Sequence, residues 1–562
     1  MNREASQAIT PSLPRWRRPD AWRTGVVLTA LILALPVIVV FAHLLLPSGE
    51  VWQHLRETVL RDYVFNSLLL MLGVGIGVLL IGVPTAWLVS LCEFPGRRLF
   101  QWALLLPLAM PAYIIAYTYT GMLDFPGPVQ TQLRDWFGWG YGDYWFPEIR
   151  SLSGAILMLS LVLYPYVYLL ARAAFLEQSV CVLEVSRTLG NGPWAGFYHV
   201  ALPLARPAII TGLSLALMET LADYGTVQYF GISTFTTGIF RTWFGMGEPG
   251  AAAQLAAVLM SFVFVLILLE RWSRRRARFH HTSNRYTQLP RYRLTGWRRN
   301  AALAACILPV LLGFLLPAIQ LTVWAAGTSD VWMSTEFLRL TWNSLGLAAI
   351  TAVLAVLLAL FMAYGQRLRP AWSNSLALRV AGMGYAVPGT VIAVGVMLPF
   401  AWIDNTLDAW MRETFDISTG LLLSGTLVAL VFAYCVRFLA VSLNTVEAAL
   451  GKIKPSMDDA ARSLGMAPNR VLRAVHMPIM RGSLLTAVLL VFVDVLKELP
   501  ATLILRPFNF NTLAVRTFEM ASDERLADAA SAALAIVIAG IIPVILLSRT
   551  ISRSRPGHDT AA

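Results

Sequence analysis

The chain has 562 residues, 57% of them hydrophobic and only 14% charged, with a mean hydropathy of +0.63 and a net charge of +12. A soluble domain carries about 25% charge, so this composition excludes a soluble globular enzyme or carrier and points to a polytopic membrane protein. Four cysteines and seven scattered histidines without metal-ligand spacing argue against a disulfide framework or a soft-metal centre.

In chain order, apolar runs long enough to cross a hydrocarbon core recur from end to end. In the first half they are Val26 to Leu46, Leu68 to Leu91, Trp102 to Met122, Leu152 to Leu170, Leu204 to Leu221 and Ala251 to Leu269. In the second half they are Ala301 to Trp324, Leu345 to Tyr364, Val380 to Trp402, Leu421 to Leu439, Ile479 to Leu496 and Ala529 to Leu547. The expected class is therefore an all-α polytopic membrane protein with about twelve transmembrane helices. The first run follows a long Arg- and Pro-containing tail without a small-residue cleavage pattern, so it is expected to stay as an anchor.

Arginine placement sets the expected orientation, because Lys and Arg are retained on the cytoplasmic side of short loops. The amino-terminal tail holds Arg3, Arg15, Arg17, Arg18 and Arg23, the linker from Arg271 to Asn300 holds ten arginines and no acid, and the carboxyl tail holds Arg549, Arg553 and Arg555. All three are expected in the cytoplasm, which six spans per half allow. The excess charge then reports topology and contact with lipid headgroups rather than nucleic acid. The expected organisation is a tail (1–24), a first repeat (25–270), a basic linker (271–300), a second repeat (301–548) and a second tail (549–562).

The repeats are visible residue by residue. Glu184-Val-Ser-Arg-Thr-Leu-Gly190 with Pro203 downstream matches Asp459-Ala-Ala-Arg-Ser-Leu-Gly465 with Pro478 downstream, at an offset of 275. The same offset pairs Arg206 with Arg481, Glu219 with Asp494, and Arg241 with Arg516. Asn66-Ser67-Leu68 matches Asn343-Ser344-Leu345, and Pro111 matches Pro388, at an offset of 277. The chain is an internal duplication whose two six-span halves run in the same direction, so they are expected to be related by a pseudo-twofold axis along the membrane normal. A translocation path is expected between them.

Each acidic-to-glycine segment consists of a polar helix, a turn that glycine can supply, and a proline suited to the start of the next helix. Such a piece can lie across the membrane surface as a knob for a symmetric partner, or be an ordinary loop. Deeper in the bilayer, Glu219 lies thirteen residues beyond Arg206, roughly 20 Å at 1.5 Å per residue, and Asp494 lies equally far beyond Arg481. Asp223 and Glu498 follow four residues later, which on a continuous helix puts each carboxylate pair on one face. Intramembrane acids mark a substrate pathway or an ion pair. Two readings stand open: the four acids, with Tyr224, Tyr113 and Tyr117, handle a hard cation, or Lys497, Arg241 and Arg516 neutralise them as structural partners.

The spacing of acid, glycine and proline resembles the coupling motif of permease subunits of bacterial ATP-binding-cassette importers, over nearly the whole chain and in two copies. The resemblance implies a fused, duplicated permease with the type I importer fold, in which Glu184, Arg187 and Gly190, and Asp459, Arg462 and Gly465, contact the ATPase. Asp459 stands where the motif has Glu and keeps the charge. No G-x-x-x-x-G-K-[ST] phosphate loop occurs, so no cofactor is expected on this chain, and ATP and Mg are expected in a separate ATPase dimer.

Glu219-Thr-Leu-Ala-Asp-Tyr-Gly225 and Asp494-Val-Leu-Lys-Glu-Leu-Pro-Ala501, with Ala386-Val-Pro-Gly-Thr390, resemble fused ferric-iron importer permeases of the inner membrane. That likeness implies Fe(III) as substrate, a periplasmic Fe(III)-binding protein as partner, and Glu219, Asp223, Asp494 and Glu498 as transient metal ligands. A small organic cation such as thiamine is the alternative substrate, and an ion-coupled secondary transporter the alternative class. No nucleophile, base and orienting group stand together as an enzyme would need.

Overall fold

The computed structural model describes residues 21–47, 49–140, 142–177, 193–275, 291–328, 332 and 334–553. Among them are eleven helices long and apolar enough to cross a membrane, and one pair, Arg97–Ala109 and Ala112–Phe137, that is long and apolar enough only when taken together and is bent by 89° at its break. Among the described residues the one strand pairing is a two-residue parallel bridge between Cys92–Glu93 and Tyr292–Arg293.

The bend corrects the third expected run, Trp102 to Met122. Pro111 has no N–H to continue a helix and sits in an extended conformation (φ −59°, ψ 143°), so one element ends by Ala109 and another begins at Ala112. The second copy repeats the device. Pro388 (φ −55°, ψ 141°) separates the helix Trp372–Ala381 from Gly389–Phe415, which replaces the expected run Val380 to Trp402. The tenth run also moves, from Leu421–Leu439 to Leu427–Gly451, because Gly425 turns the chain at φ 66° and the Thr426 hydroxyl caps the helix by accepting from Val428 N–H.

Asn66 and Asn343 have the same task in the two halves. Asn66 Nδ2 donates to the Ser233 carbonyl at 2.9 Å and Asn343 Nδ2 to the Asn511 carbonyl at 3.2 Å. Each bond ties a long helix, Leu60–Leu91 or Thr335–Leu368, to the loop before a Thr-capped helix, Phe235–Phe240 or Leu513–Ser522. The matched Asn-Ser-Leu triplets thus mark one tertiary joint built twice.

Terminal helices interlock the halves. Ala21–Ala42 of the first half packs on Trp372–Ala381 and Gly389–Phe415 of the second, and Leu526–Arg553 of the second packs on Leu106–Ala109 of the first. Contact there is backbone-close: a Cβ on Gly395 would lie 2.3 Å from the Pro36 carbonyl oxygen, and one on Gly540 would lie 2.7 Å from that of Ala109. Small residues let helices approach to this distance, which supplies the dispersion energy that holds helices together in lipid. On the face opposite the Asp459 segment, Arg150 closes a further link between halves, reaching Asp124 at 3.2 Å and Glu524 at 2.8 Å.

Candidate functional site

Both acid-bearing helices stop short of where continuous i, i+4 faces would need them. Leu202–Ala222 ends just before Asp223, and Met477–Leu496 ends before Lys497 and Glu498. The expectation that Glu219 with Asp223, and Asp494 with Glu498, share a helix face is corrected. The second acid of each pair instead opens the next short helix. Asp223 accepts from Thr226 N–H, Val227 N–H (both 3.1 Å) and the Thr226 hydroxyl (3.0 Å), while Glu498 Oε1 accepts from Ala501 N–H at 3.2 Å. An acidic side chain at a helix start satisfies otherwise unpaired N–H groups and complements the helix dipole.

Breaking the helices turns all four acids toward one cavity of about 130 Å³ between the halves. Its wall contains Glu219, Asp223, Asp494 and Glu498, the cations Arg437 and Lys497, and the phenols Tyr113, Tyr166, Tyr224 and Tyr385. By formal charge, four carboxylates against two cations give the wall an excess of two negative charges. A space of this size admits several waters or an ion keeping part of its hydration shell.

The ion pairs differ from those expected. Lys497 Nζ bonds Asp494 at 2.9 Å, as its proximity in sequence suggested, but Glu498 is held by Arg437 Nε at 3.3 Å, and Arg437 Nη2 also lies 3.8 Å from Glu219. Arg241 and Arg516 take no part: Arg241 donates to the Ser233 hydroxyl at 2.9 Å and Arg516 pairs with Glu336 at 2.9 Å. Tyr113 and Tyr224 line the cavity, whereas Tyr117 is buried beside Trp324 and does not.

Arg437, Tyr166 and Tyr385 were not legible as site residues. Tyr166 and Tyr385 meet across the halves with their hydroxyls 3.3 Å apart. Arg437 sits mid-helix in Leu427–Gly451, and the one available signal was a charge inside an otherwise apolar run.

The cavity does not form a ready metal cage. Among the described residues no cluster of three or more His, Cys, Asp or Glu side chains is disposed to hold a metal ion. Cys92, Cys306 and Cys435 are free and buried, and burial pushes the Cys92 thiol up to about 12, away from the thiolate that a soft metal needs. The site's donors are carboxylates and phenols, which suit a hard cation held loosely.

At the other end of the molecule, Glu184, Arg187 and Gly190 lie outside the described residues. Their second-half counterparts form a projecting turn. Asp459 and Arg462 are exposed on the helix Pro455–Ser463 and pair with each other at 3.7 Å, and Gly465 follows in the left-handed conformation at φ 75°. Leu464 stands 82% exposed beside them. Beneath the turn, buried Asp458 accepts from Arg367 Nε at 2.8 Å and meets His476 Nε2 at 2.5 Å, while Arg367 also donates to the Leu450 and Ile453 carbonyls. These bonds fasten the turn to the long helix Thr335–Leu368.

A duplicated helical bundle with a charged cavity between its halves and a projecting surface turn defines a membrane permease. The chain belongs to the family of binding-protein-dependent transport system inner membrane components, whose model matches residues 79–279 and again 355–555. It is thus the permease component of an ATP-driven importer. It is a multi-pass inner-membrane protein without an ATPase domain, and its family works with a separate ATPase and a periplasmic binding protein.

Among its relatives, the chain is 27% identical over 542 residues to the Fe(3+)-transport system permease protein FbpB 2 of Haemophilus influenzae, covering 95% of this chain and 99% of that one. It is 24% identical over 485 residues to that organism's putative ferric transport system permease protein FbpB 1, covering 81% and 72%. It is also 28% identical over 230 residues to the molybdenum transport system permease protein ModB of Escherichia coli, covering 39% of this chain and 97% of that one.

Proposed function

We propose that this permease passes Fe(III), handed over by a periplasmic binding protein, through the cavity between its halves by alternating access. The observation that carries this reading is the convergence of Glu219, Asp223, Asp494 and Glu498 on one cavity whose wall, by formal charge, keeps an excess of two negative charges after Arg437 and Lys497 are counted. A buried excess of carboxylate favours a multivalent cation, since Coulomb attraction scales with the charge of the ion. The full-length likeness to a permease named for Fe(3+) transport supports the same substrate. The acids serve as transient ligands and guides, because an ion that must leave cannot be fully caged.

In this reading ATP and Mg are bound by a partner ATPase dimer, which docks on the turns bearing Glu184, Arg187 and Gly190 and bearing Asp459, Arg462 and Gly465. The termini and the arginine-rich linker face the cytoplasm. The test is ATP-dependent uptake of radioactive iron into proteoliposomes holding the permease, its ATPase and the binding protein, with wild type beside Glu219→Gln plus Asp494→Asn. Wild-type uptake that is lost in the double variant while ATP hydrolysis persists is the expected result. Unchanged uptake in the variant returns the acids to a structural role. No iron uptake by wild type overturns the substrate and directs the assay to small organic cations, which the four cavity tyrosines would also suit.

A further inference from the structure

Arg437, with Glu498, is one of the two most confined charges in the cavity wall. It is 6% exposed and its guanidinium spans the seam between the halves, with Nε 3.3 Å from Glu498 of the second half and Nη2 3.8 Å from Glu219 of the first. Its Nε, though in ion-pair range of Glu498, and its Nη1 are both buried without a hydrogen-bond partner. The surrounding chain is shaped for it: a Cβ on Gly389 would lie 2.5 Å from Glu498 Oε1 and 2.9 Å from Arg437 Nη1. A guanidinium cannot give up its charge, so this cation is permanent.

Two carboxylates from different halves facing one fixed cation, with a cavity beside them, is the arrangement expected of a site that holds a substitute for its own ligand. Resting on the reading of the cavity as a cation path, we propose that Arg437 is the resident counter-cation of the empty permease, bridging Glu219 and Glu498 until the substrate cation displaces it from Glu219. The geometry favours Glu219 as the bond that yields. That contact is the longer of the two, and the Glu219 side chain is 23% exposed to the cavity whereas that of Glu498 is 5% exposed.

Two consequences follow. A monovalent ion brings no more charge than the arginine it must displace, and it lacks the tether, so it loses the competition. A trivalent ion attracts each carboxylate three times as strongly at equal distance and wins. Arg437 thereby acts as a specificity-determining residue without touching substrate. The same exchange removes one ionic tie between the halves, linking occupancy to their separation.

The experiment is a titration of the full chain, assembled with its ATPase in lipid nanodiscs without nucleotide, with Tb(III) as a hard trivalent probe. Sensitised terbium luminescence, excited through cavity tyrosines such as Tyr166 and Tyr113, reads occupancy. Arg437→Gln is expected to bind Tb(III) about tenfold or more tightly than wild type, the scale one charge carries in a desolvated site, and to become saturable by Ca(II). Arg437→Lys, which keeps the charge but reaches less far across the seam, is expected to bind Tb(III) more tightly than wild type and less tightly than Arg437→Gln, and Glu219→Gln to lose the signal in either background.

Equal or weaker binding by Arg437→Gln, with Glu219→Gln still abolishing the signal, overturns the proposal and leaves the cation path standing. A signal that Glu219→Gln does not change overturns both. If Arg437→Gln fails to assemble, the ratio of Arg437→Lys to wild type decides. The lysine, reaching less far across the seam, is then expected to bind Tb(III) more tightly than arginine does, and no difference refutes the role.

Discussion

The two copies of the inner turn use the same backbone plan and fill it in opposite ways. In the first, Pro111 is followed by Ala112 and Tyr113, and space for the bulky tyrosine is made by Gly225, whose Cβ would lie 2.6 Å from that of Tyr113. In the second, Pro388 is followed by Gly389 and Thr390, and space is made for Arg437 and Glu498 instead, while Pro500 stands where the first copy has Gly225. Asp223 is committed to capping, with three hydrogen bonds to Thr226 and Val227, whereas Glu498 is shared between a cap and a guanidinium. Duplication preserved the scaffold, and divergence put an aromatic wall in one half and a fixed cation in the other.

Removing charges one at a time ranks these differences. The largest loss is expected for Glu498→Ala, which strands a buried guanidinium with only the 3.8 Å contact to Glu219. Leaving one partner of a buried pair uncompensated costs about 3–5 kcal/mol, measurable as lowered thermal stability of the detergent-solubilised protein. Gly389→Ala comes next. Forcing a methyl group against Glu498 and Arg437 costs about 1–3 kcal/mol by overpacking, and the same assay should show it only partly relieved in the Arg437→Ala background, because the closer contact, 2.5 Å to Glu498 Oε1, remains.

Asp223→Ala, its first-half counterpart in position, removes a cap and should cost about 1 kcal/mol, seen as faster hydrogen exchange at Thr226 and Val227. Asp494→Asn is expected to cost least. Its pair with Lys497 at 2.9 Å is partly open to the cavity, the side chains being 19% and 29% exposed, and asparagine keeps an oxygen that accepts from the lysine ammonium. A stability loss for Asp223→Ala as large as that for Glu498→Ala would erase the distinction between the halves.

The copies also differ at the projecting turn. Asp458, Arg367 and His476 lock the second one to its long helix, and the 275-residue offset places Leu183 and Ala201 opposite Asp458 and His476 in the first. At those two positions the first half therefore carries apolar residues.

By itself the sequence determined that the chain crosses a membrane repeatedly, that it is two copies in one direction, and that four acids stand at matched heights beyond matched arginines. These are statements about composition and spacing along the chain, and a local pattern carries them. It also marked Pro111 and Pro388 as equivalent and Lys497 as a partner of Asp494, because proline acts on its own backbone and residues three apart meet on one turn.

Tertiary structure alone decided the rest. The helices end before Asp223 and Lys497, where the expected runs Leu204 to Leu221 and Ile479 to Leu496 also stop, so what the spacing missed is the turn that follows each helix rather than its end. Arg437 reaches Glu219 across 218 residues and Glu498 across 61, and no periodicity encodes a contact made between halves. Arg241 and Arg516 stand nearer the acids in sequence yet turn to Ser233 and Glu336. A buried charge selects its partner by the geometry of packed helices, since desolvation penalises every pairing that is not made at contact distance.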